Sequence, residues 1–191
     1  VLRLYGNYGG DVMNFDMAGD LVEFDDIETT TVLLRDDVAS ASLAERDKRR
    51  GVAGMVFAFK IAGAAAAAGH DLAGVTAVTQ RAADAVRTMG VALSSCTVPQ
   101  AGKPTFSIGD DEMEIGMGIH GEPGVRRGKL QPAAAIADQL LDPILGDLSL
   151  ARGDRIAVLV NSLGATPAEE LFILFDRIAS RCDDLGVSIA T

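Results

Sequence analysis

The chain has 191 residues, 48% hydrophobic and 23% charged, with a formal net charge of −10. This is the composition of a folded globular protein, not a disordered one, and its acidity argues against nucleic acid as a partner. The length allows one ordinary domain or parts of two. Aromatic residues make up only 5% and Trp is absent, so the core has to be built from Ala, Val, Ile and Leu. Cys96 and Cys182 lie far apart without CxxC spacing, which fits a reducing, cytoplasmic setting. No charge-free apolar run of about 18 residues and no signal-peptide pattern occurs, so no membrane partner is expected.

Taken in order, Val1–Leu4 reads as the end of a buried strand running into the glycine-rich stretch Gly6-Asn7-Tyr8-Gly9-Gly10-Asp11. In open α/β sheets, ligands bind at such carboxyl ends of strands. A helix is expected from Val12 to about Phe24, with Phe15, Ala18, Leu21 and Val22 on one face. Ile27–Leu34 is the next strand, ending on Asp36-Asp37. Strand, loop, helix and strand together form the βαβ pattern of a parallel sheet. Ser40–Arg50 reads as a charged loop carrying the basic cluster Lys48-Arg49-Arg50. Gly51–Ala68 is apolar nearly all round and predicts a buried helix, with Ala64–Ala68 as a site of tight packing. Asp71 is placed to cap a following helix whose stripe is Leu72, Val75, Val78, Ala82 and Val86.

After Gly90 the composition changes. Val91–Val98, Thr105–Ile108 and Met113–Ile119 are short strand candidates separated by turn residues, and a domain boundary is expected there. Residues 1–89 then form the C-terminal part of one α/β domain and 90–191 the N-terminal part of a second, with the site at their junction. A helix follows over Gln131–Leu145, with Pro132 in its first turn and Pro143 expected to kink or end it. Arg155–Val160 reads as a buried strand. Thr166-Pro167-Ala168-Glu169 has the form of a capping box opening a helix through Leu171, Leu174, Phe175, Ile178 and Cys182. Val187–Ala190 begins another strand. The chain starts on strand-like sequence without Met, so it is expected to be a segment of a longer protein.

Two stretches offer chemistry. Gly116-Met117-Gly118-Ile119-His120-Gly121-Glu122-Pro123-Gly124 sets one of two histidines among four glycines. Its imidazole is open to use as a base, a nucleophile or a metal ligand, or to a backbone-satisfied place in a turn. The other histidine, His70, lies in an interhelical turn beside Asp71, so spacing disfavours a metal. Asp11 reads either as a plain helix N-cap or as a carboxylate able to accept a hydrogen bond or proton from a substrate hydroxyl. The Gly6–Asp11 loop lacks GxGxxG and the Walker Lys, so it supports no nucleotide site. The acidic run Asp110-Asp111-Glu112 with Glu114 fits no spaced cation motif and reads as solvated turn charge. There is no GxSxG elbow.

Asn7-Tyr8-Gly9-Gly10-Asp11 with Asn14-Phe15 resembles a signature of the substrate-binding K subunit of the dihydroxyacetone kinase family. Asp36-Asp37-Val38-Ala39, Arg49-Arg50-Gly51-Val52-Ala53, Cys96-Thr97-Val98-Pro99, Ala101-Gly102-Lys103-Pro104 and the run from Glu112 to Gly124 resemble further blocks of it. So does Val160-Asn161 with Leu163-Gly164-Ala165-Thr166-Pro167, and the blocks occur in family order over essentially the whole chain. The resemblance implies that His120 adds to the ketone carbon of a short ketose as a covalent hemiaminal. It also implies that Asp11 binds the terminal hydroxyl and helps remove its proton. It implies no cofactor or metal on this chain, Mg-ATP or Mg-ADP on a partner L subunit or domain, and a homodimer.

Two departures from the family matter. Gly6 stands where the family usually has Lys; loss of the ammonium contact and an enlarged pocket imply a preference for a tetrulose over dihydroxyacetone. The family's GGGSGHEP segment, with a further catalytic His, is expected upstream of Val1, and His70 does not replace it. The segment is therefore expected to be inactive alone. The competing reading is a non-catalytic ketose sensor, a regulatory paralogue that keeps the covalent His.

Overall fold

The computed structural model describes residues 1–97 and 99–190, a mixed α/β arrangement. The chain divides into two compact units, Val1–Thr88 and Met89–Thr191.

In the first unit β1 (Leu2–Gly6) pairs in parallel with β2 (Thr30–Leu34), in a register that sets Leu4 beside Val32 and Gly6 beside Leu34. Side chains alternate across a strand. Leu2, Leu4, Val32 and Leu34 therefore share a core with Ala58 and Ala83 of the next two helices, closed by Met55 and Val86. Arg3 and Tyr5, on the opposite face, meet the crossover helix α1 (Gly9–Glu23): Tyr5 stacks on Phe15 at 4.2 Å, and Arg3 donates to the Phe15 carbonyl at 2.7 Å. The expected βαβ unit is present, and of the α1 face read in the sequence Phe15 packs on Tyr5 and Val22 is half-buried, whereas Ala18 and Leu21 are exposed. The only buried residue of α1 is Gly19, over which the Arg3 guanidinium lies so closely that a Cβ would collide with it. Leu21 is 62% exposed.

The Ser40–Arg50 segment is not a loose loop. It contains a short 3-10 helix (Leu43–Lys48), and Arg49 is 3% exposed, donating to the Ala41 carbonyl at 2.9 Å. Two helices follow, α2 (Gly54–Ala67) and α3 (Leu72–Ala85), packed on one another and on the strands. Asp71 caps α3 as expected, accepting from the Gly74 amide at 2.8 Å, and the stripe centres on Val75, Thr79 and Ala83. By contrast α2 buries only Gly54 and Ala58; Phe59 is half exposed and most of Ala64–Ala68 faces out, so that run is helical without being tightly packed. Asp36 organises the start of α2. It is fully buried and accepts from the Val52 and Gly54 amides and the Thr88 hydroxyl at 3.0, 2.9 and 2.5 Å. A Cβ on Gly54 would lie 2.6 Å from the Asp36 carboxyl carbon, which reserves that position for glycine.

The second unit holds a three-stranded antiparallel sheet, β3 (Val91–Ala92), β4 (Glu112–Ile115) and β5 (Arg126–Lys129). Its core joins Met113, Ile115 and Ile136, with Leu140 and Leu174 against them. The sequence reading placed strands at Thr105–Ile108 and through Ile119, and missed β5. Thr105–Ile108 holds no strand, and β4 ends at Ile115, four residues earlier than expected. The Val98 end of the Val91–Val98 candidate lies outside the described residues. Helix α4 (Ala133–Asp147) passes through Pro143 to Asp147 instead of ending there. It packs on α5 (Ala168–Leu185), where Asp138 accepts from Arg177 at 2.9 Å and Arg181 at 2.6 Å. The capping box is not formed: Pro167 precedes the first turn without a side-chain cap, and Glu169 and Glu170 supply its negative charge. Only Arg155–Ile156 (β6) of the expected buried strand pairs, in parallel with β7 (Ser188–Ile189), and Arg155–Val160 is half exposed.

Candidate functional site

Asp11 and Gly6 belong to the first unit and His120 to the second; each has a well-defined local setting. The Gly6–Asp11 stretch leaves the carboxyl end of β1 and turns directly into α1. The Asn7 amide donates to the Leu34 carbonyl at 3.0 Å, and its side chain reaches the Arg49 and Asp47 carbonyls at 2.8 and 3.1 Å. Asn14 donates to the Gly10 carbonyl at 2.8 Å. Asp11 is not the N-cap. The helix begins at Gly9, with Tyr8 in extended conformation before it, which puts Asp11 in the first turn. Negative charge is favoured there by the unsatisfied amides of the helix terminus. Asp11 is partly exposed, and among the described residues its carboxylate has no hydrogen-bond donor.

Gly6 is buried. A Cβ built on it would sit 3.1 Å from the Gly51 carbonyl oxygen, 3.2 Å from the Tyr8 ring and 3.3 Å from the Met55 sulfur. The backbone is therefore closely packed around the Gly6 Cβ position.

His120 sits in the loop joining β4 to β5. The loop is closed in tiers. At its base the Val125 amide donates to the Ile115 carbonyl at 2.8 Å, and the Gly116 amide donates to Gly90 at 2.7 Å. Further out, the Gly118 amide donates to the Glu122 carbonyl and the Gly121 amide to the Gly118 carbonyl, both at 3.0 Å. Gly121 has φ of +83°, where a side chain is strained. The Glu122 carboxylate accepts the His120 backbone amide at 3.0 Å, and its other oxygen lies 3.5 Å from His120 Nδ1. The imidazole is 61% exposed. The result is a ring presented outward on a tightly bonded loop, one nitrogen directed at a carboxylate that the residue's own backbone holds in place.

The part of this site that sequence reasoning missed is underneath. Glu114, read as solvated turn charge, is 6% exposed. It accepts from the Gly124 amide at 2.7 Å and from Arg127 Nε and Nη2 at 2.8 and 2.5 Å. The Gly124 hydrogen bond, ahead of the Arg127 pairing, holds its carboxyl below the ordinary glutamate range. A Cβ on Gly124 would run into the Ile115 carbonyl and lie 2.8 Å from Glu114 Cγ. The signal available in the sequence was the spacing: Glu114 and Arg127 are cross-strand partners once β5 is recognised. A buried pair, Asp37 with Arg50 at 2.7 Å, lies in the first unit; burial pushes the Asp37 carboxyl up, against the pull of Arg50. Among the described residues no group of three His, Cys, Asp or Glu is arranged to hold a metal, and no helix is long and apolar enough to cross a membrane.

The Dak1 domain matches residues 1–191, and the chain belongs to that family. It is 46% identical over 189 residues to the dihydroxyacetone-binding subunit DhaK of a PTS-dependent dihydroxyacetone kinase of Listeria innocua, covering 99% of this chain and 57% of that one. It is 47% identical over 189 residues to a D-erythrulose kinase of Mycolicibacterium smegmatis, covering 99% of this chain and 33% of that one. A solved structure of the dihydroxyacetone kinase operon co-activator Dha-DhaQ superposes with a TM-score of 0.89 at 28% identity, covering 99% of this chain and 58% of that one. The chain thus spans between a third and just over half of these relatives.

Proposed function

We propose that this chain is the ketose-holding part of a dihydroxyacetone-type kinase, with His120 as the covalent anchor and Asp11 as the proton acceptor. The observation that carries the reading is the His120 loop, in which Glu122 is fixed by the His120 amide and faces Nδ1. That carboxylate favours the neutral tautomer with its proton on Nδ1 and the lone pair on Nε2. Nε2 then forms the bond to the ketone carbon while the carbonyl π pair moves to oxygen. The ring gives up its Nδ1 proton and the oxygen gains one, so the neutral hemiaminal contains every atom of both reactants. A protonated ring has no lone pair to attack with, so the anchor works only as neutral imidazole.

Such a bond fixes a substrate that offers few other handles and selects ketones over simple polyols, and positioning is a large part of phosphoryl-transfer catalysis. Asp11 accepts the proton of the terminal hydroxyl as phosphate is transferred. The phosphate comes from an L-type subunit or domain carrying a magnesium-bound adenine nucleotide, or from a phosphotransferase-system donor, and the K part is homodimeric. The cytoplasm is the compartment that such a partner requires.

The missing ammonium at Gly6 and the similarity to a D-erythrulose kinase support a four-carbon ketose as substrate. Turnover of erythrulose above dihydroxyacetone by the full-length protein with its phosphate donor is the expected result; equal or better turnover of dihydroxyacetone sinks the tetrulose preference. A sensor role is the second reading, supported by the likeness to the co-activator Dha-DhaQ. Ketose binding without phosphoryl transfer to any donor, together with ketose-dependent association with a transcription regulator, supports the sensor over the kinase.

A further inference from the structure

We infer that the buried Glu114 carboxylate, held by the exposed Arg127, is a positioning device for His120, setting the loop's shape from below. This rests on the His120 reading above. Glu114 and Arg127 stand opposite each other on β4 and β5, directly beneath the loop. One Glu114 oxygen takes the Gly124 amide at 2.7 Å and the other takes Arg127, which leaves the buried carboxylate fully engaged. Gly124 is pressed against the β4 backbone too closely for any side chain. From that fixed point only Pro123, with its locked φ, separates Gly124 from Glu122. Glu122 in turn holds the His120 amide and faces its ring. Constraint therefore passes from Glu114 through Gly124 and Pro123 to Glu122 and the imidazole.

Stability alone is a weak reason for such a pair. With the Arg127 side chain 46% exposed, solvent screens the attraction, and such pairs contribute little net stability. Its neighbours Met113 and Ile115 already supply the apolar core of β4. What a charged pair adds here is direction: an acceptor aimed at one amide, with its own orientation fixed by a two-point guanidinium contact. A misplaced reacting group can lose about a hundredfold in rate even when the change is remote from the chemistry, so a loop-shaping contact of this kind has functional weight.

The test compares Glu114→Gln with Asp138→Asn in the full-length protein. Glu114→Gln keeps the shape of the side chain and an acceptor for Gly124 but removes the charge that fixes Arg127. Asp138→Asn weakens the α4–α5 arginine contacts of the same unit, away from the loop. Melting temperature, amide hydrogen exchange over residues 116–124 and affinity of the covalent ketose adduct are measured for both, with His120→Ala as reference. Expected for Glu114→Gln are a folded protein, faster exchange in the loop and adduct affinity lower by about tenfold or more. Asp138→Asn is expected to lose stability while keeping the wild-type adduct. Wild-type adduct affinity in Glu114→Gln overturns the inference, and so does an equal loss in Asp138→Asn at matched stability. If instead His120→Ala retains the adduct, the His120 reading itself has failed, an outcome distinct from either of these.

Discussion

The two glycine-rich loops place their candidate side chains, Asp11 and His120, by opposite means. Asp11 rides on a regular helix: β1 ends, Asn7 ties the turn to three carbonyls, and α1 begins at Gly9 with Asp11 in its first turn. Its position follows from backbone geometry. His120 rides on an irregular hairpin loop that contributes no ladder of its own. It is held by individual contacts, among them the buried Glu114 carboxylate and the side-chain-free Gly124, which packs against the Ile115 carbonyl. A group carried by regular structure tolerates a change in its own chemistry without disturbing the fold. A group carried by a loop depends on residues that never touch the substrate.

The largest effect that separates the two loops is expected from Asp11→Asn. Removing the proposed proton acceptor should lower phosphoryl transfer by about two to four orders of magnitude. Stability should stay within about 0.5 kcal/mol, since the side chain accepts no hydrogen bond among the described residues. Steady-state kinetics with the phosphate donor, read beside a urea titration, checks both halves. A loss of stability as large as the loss of rate would show that Asp11 is structural after all.

Gly124→Ala should do the reverse. Its Cβ has nowhere to go but into the Ile115 carbonyl, so a destabilisation of about 1–3 kcal/mol is expected, together with loss of the adduct. A Gly124→Ala protein with unchanged melting and unchanged adduct would break the contrast between the loops.

The third effect is smaller and depends on pH. The folded-state Glu114 carboxyl is held below its ordinary value of 4.5. Its contribution to stability is thus fully present above that value and is lost as pH falls through the depressed folded-state value. Protection from exchange over residues 116–124, taken relative to the intrinsic rate at each pH, should fall on acidification below about pH 4.5, before global unfolding, and the fall should be blunted in Glu114→Gln. An acid response of the loop identical in the two proteins contradicts the clamp.

Much of this was legible in the residues. The β1–α1–β2 unit announced itself because a strand-like start and an apolar β-branched run flank a helical period, and Asp71 capped its helix because a carboxylate before an apolar stripe does so wherever the chain permits. The glycine-framed His120 was equally plain. Its support was hidden, because β5 is Arg126-Arg127-Gly128-Lys129, fully exposed and charged, with no apolar alternation to mark a strand. Without β5, Glu114 has no visible partner and falls in with the acidic turn beside it. Gly51–Ala68 misled in the other direction: uniform apolarity suggested burial all round, whereas only one narrow side of α2 packs on its unit. Pro143 was read by its usual effect, yet α4 carries it four residues from the helix end. Local signals marked elements and the glycine-framed His120 loop; contacts made between distant strands were out of their reach.

The central claim is that His120 bonds covalently to the ketone carbon. Carbon NMR of the full-length protein with a ketose isotope-labelled at its carbonyl carbon tests it most directly. The account predicts that the bound ketone resonance gives way to a tetrahedral carbon in the wild type, and that this signal is absent in a folded His120→Ala protein. A bound ketose that keeps its carbonyl resonance, or a tetrahedral signal that survives in His120→Ala, would contradict it.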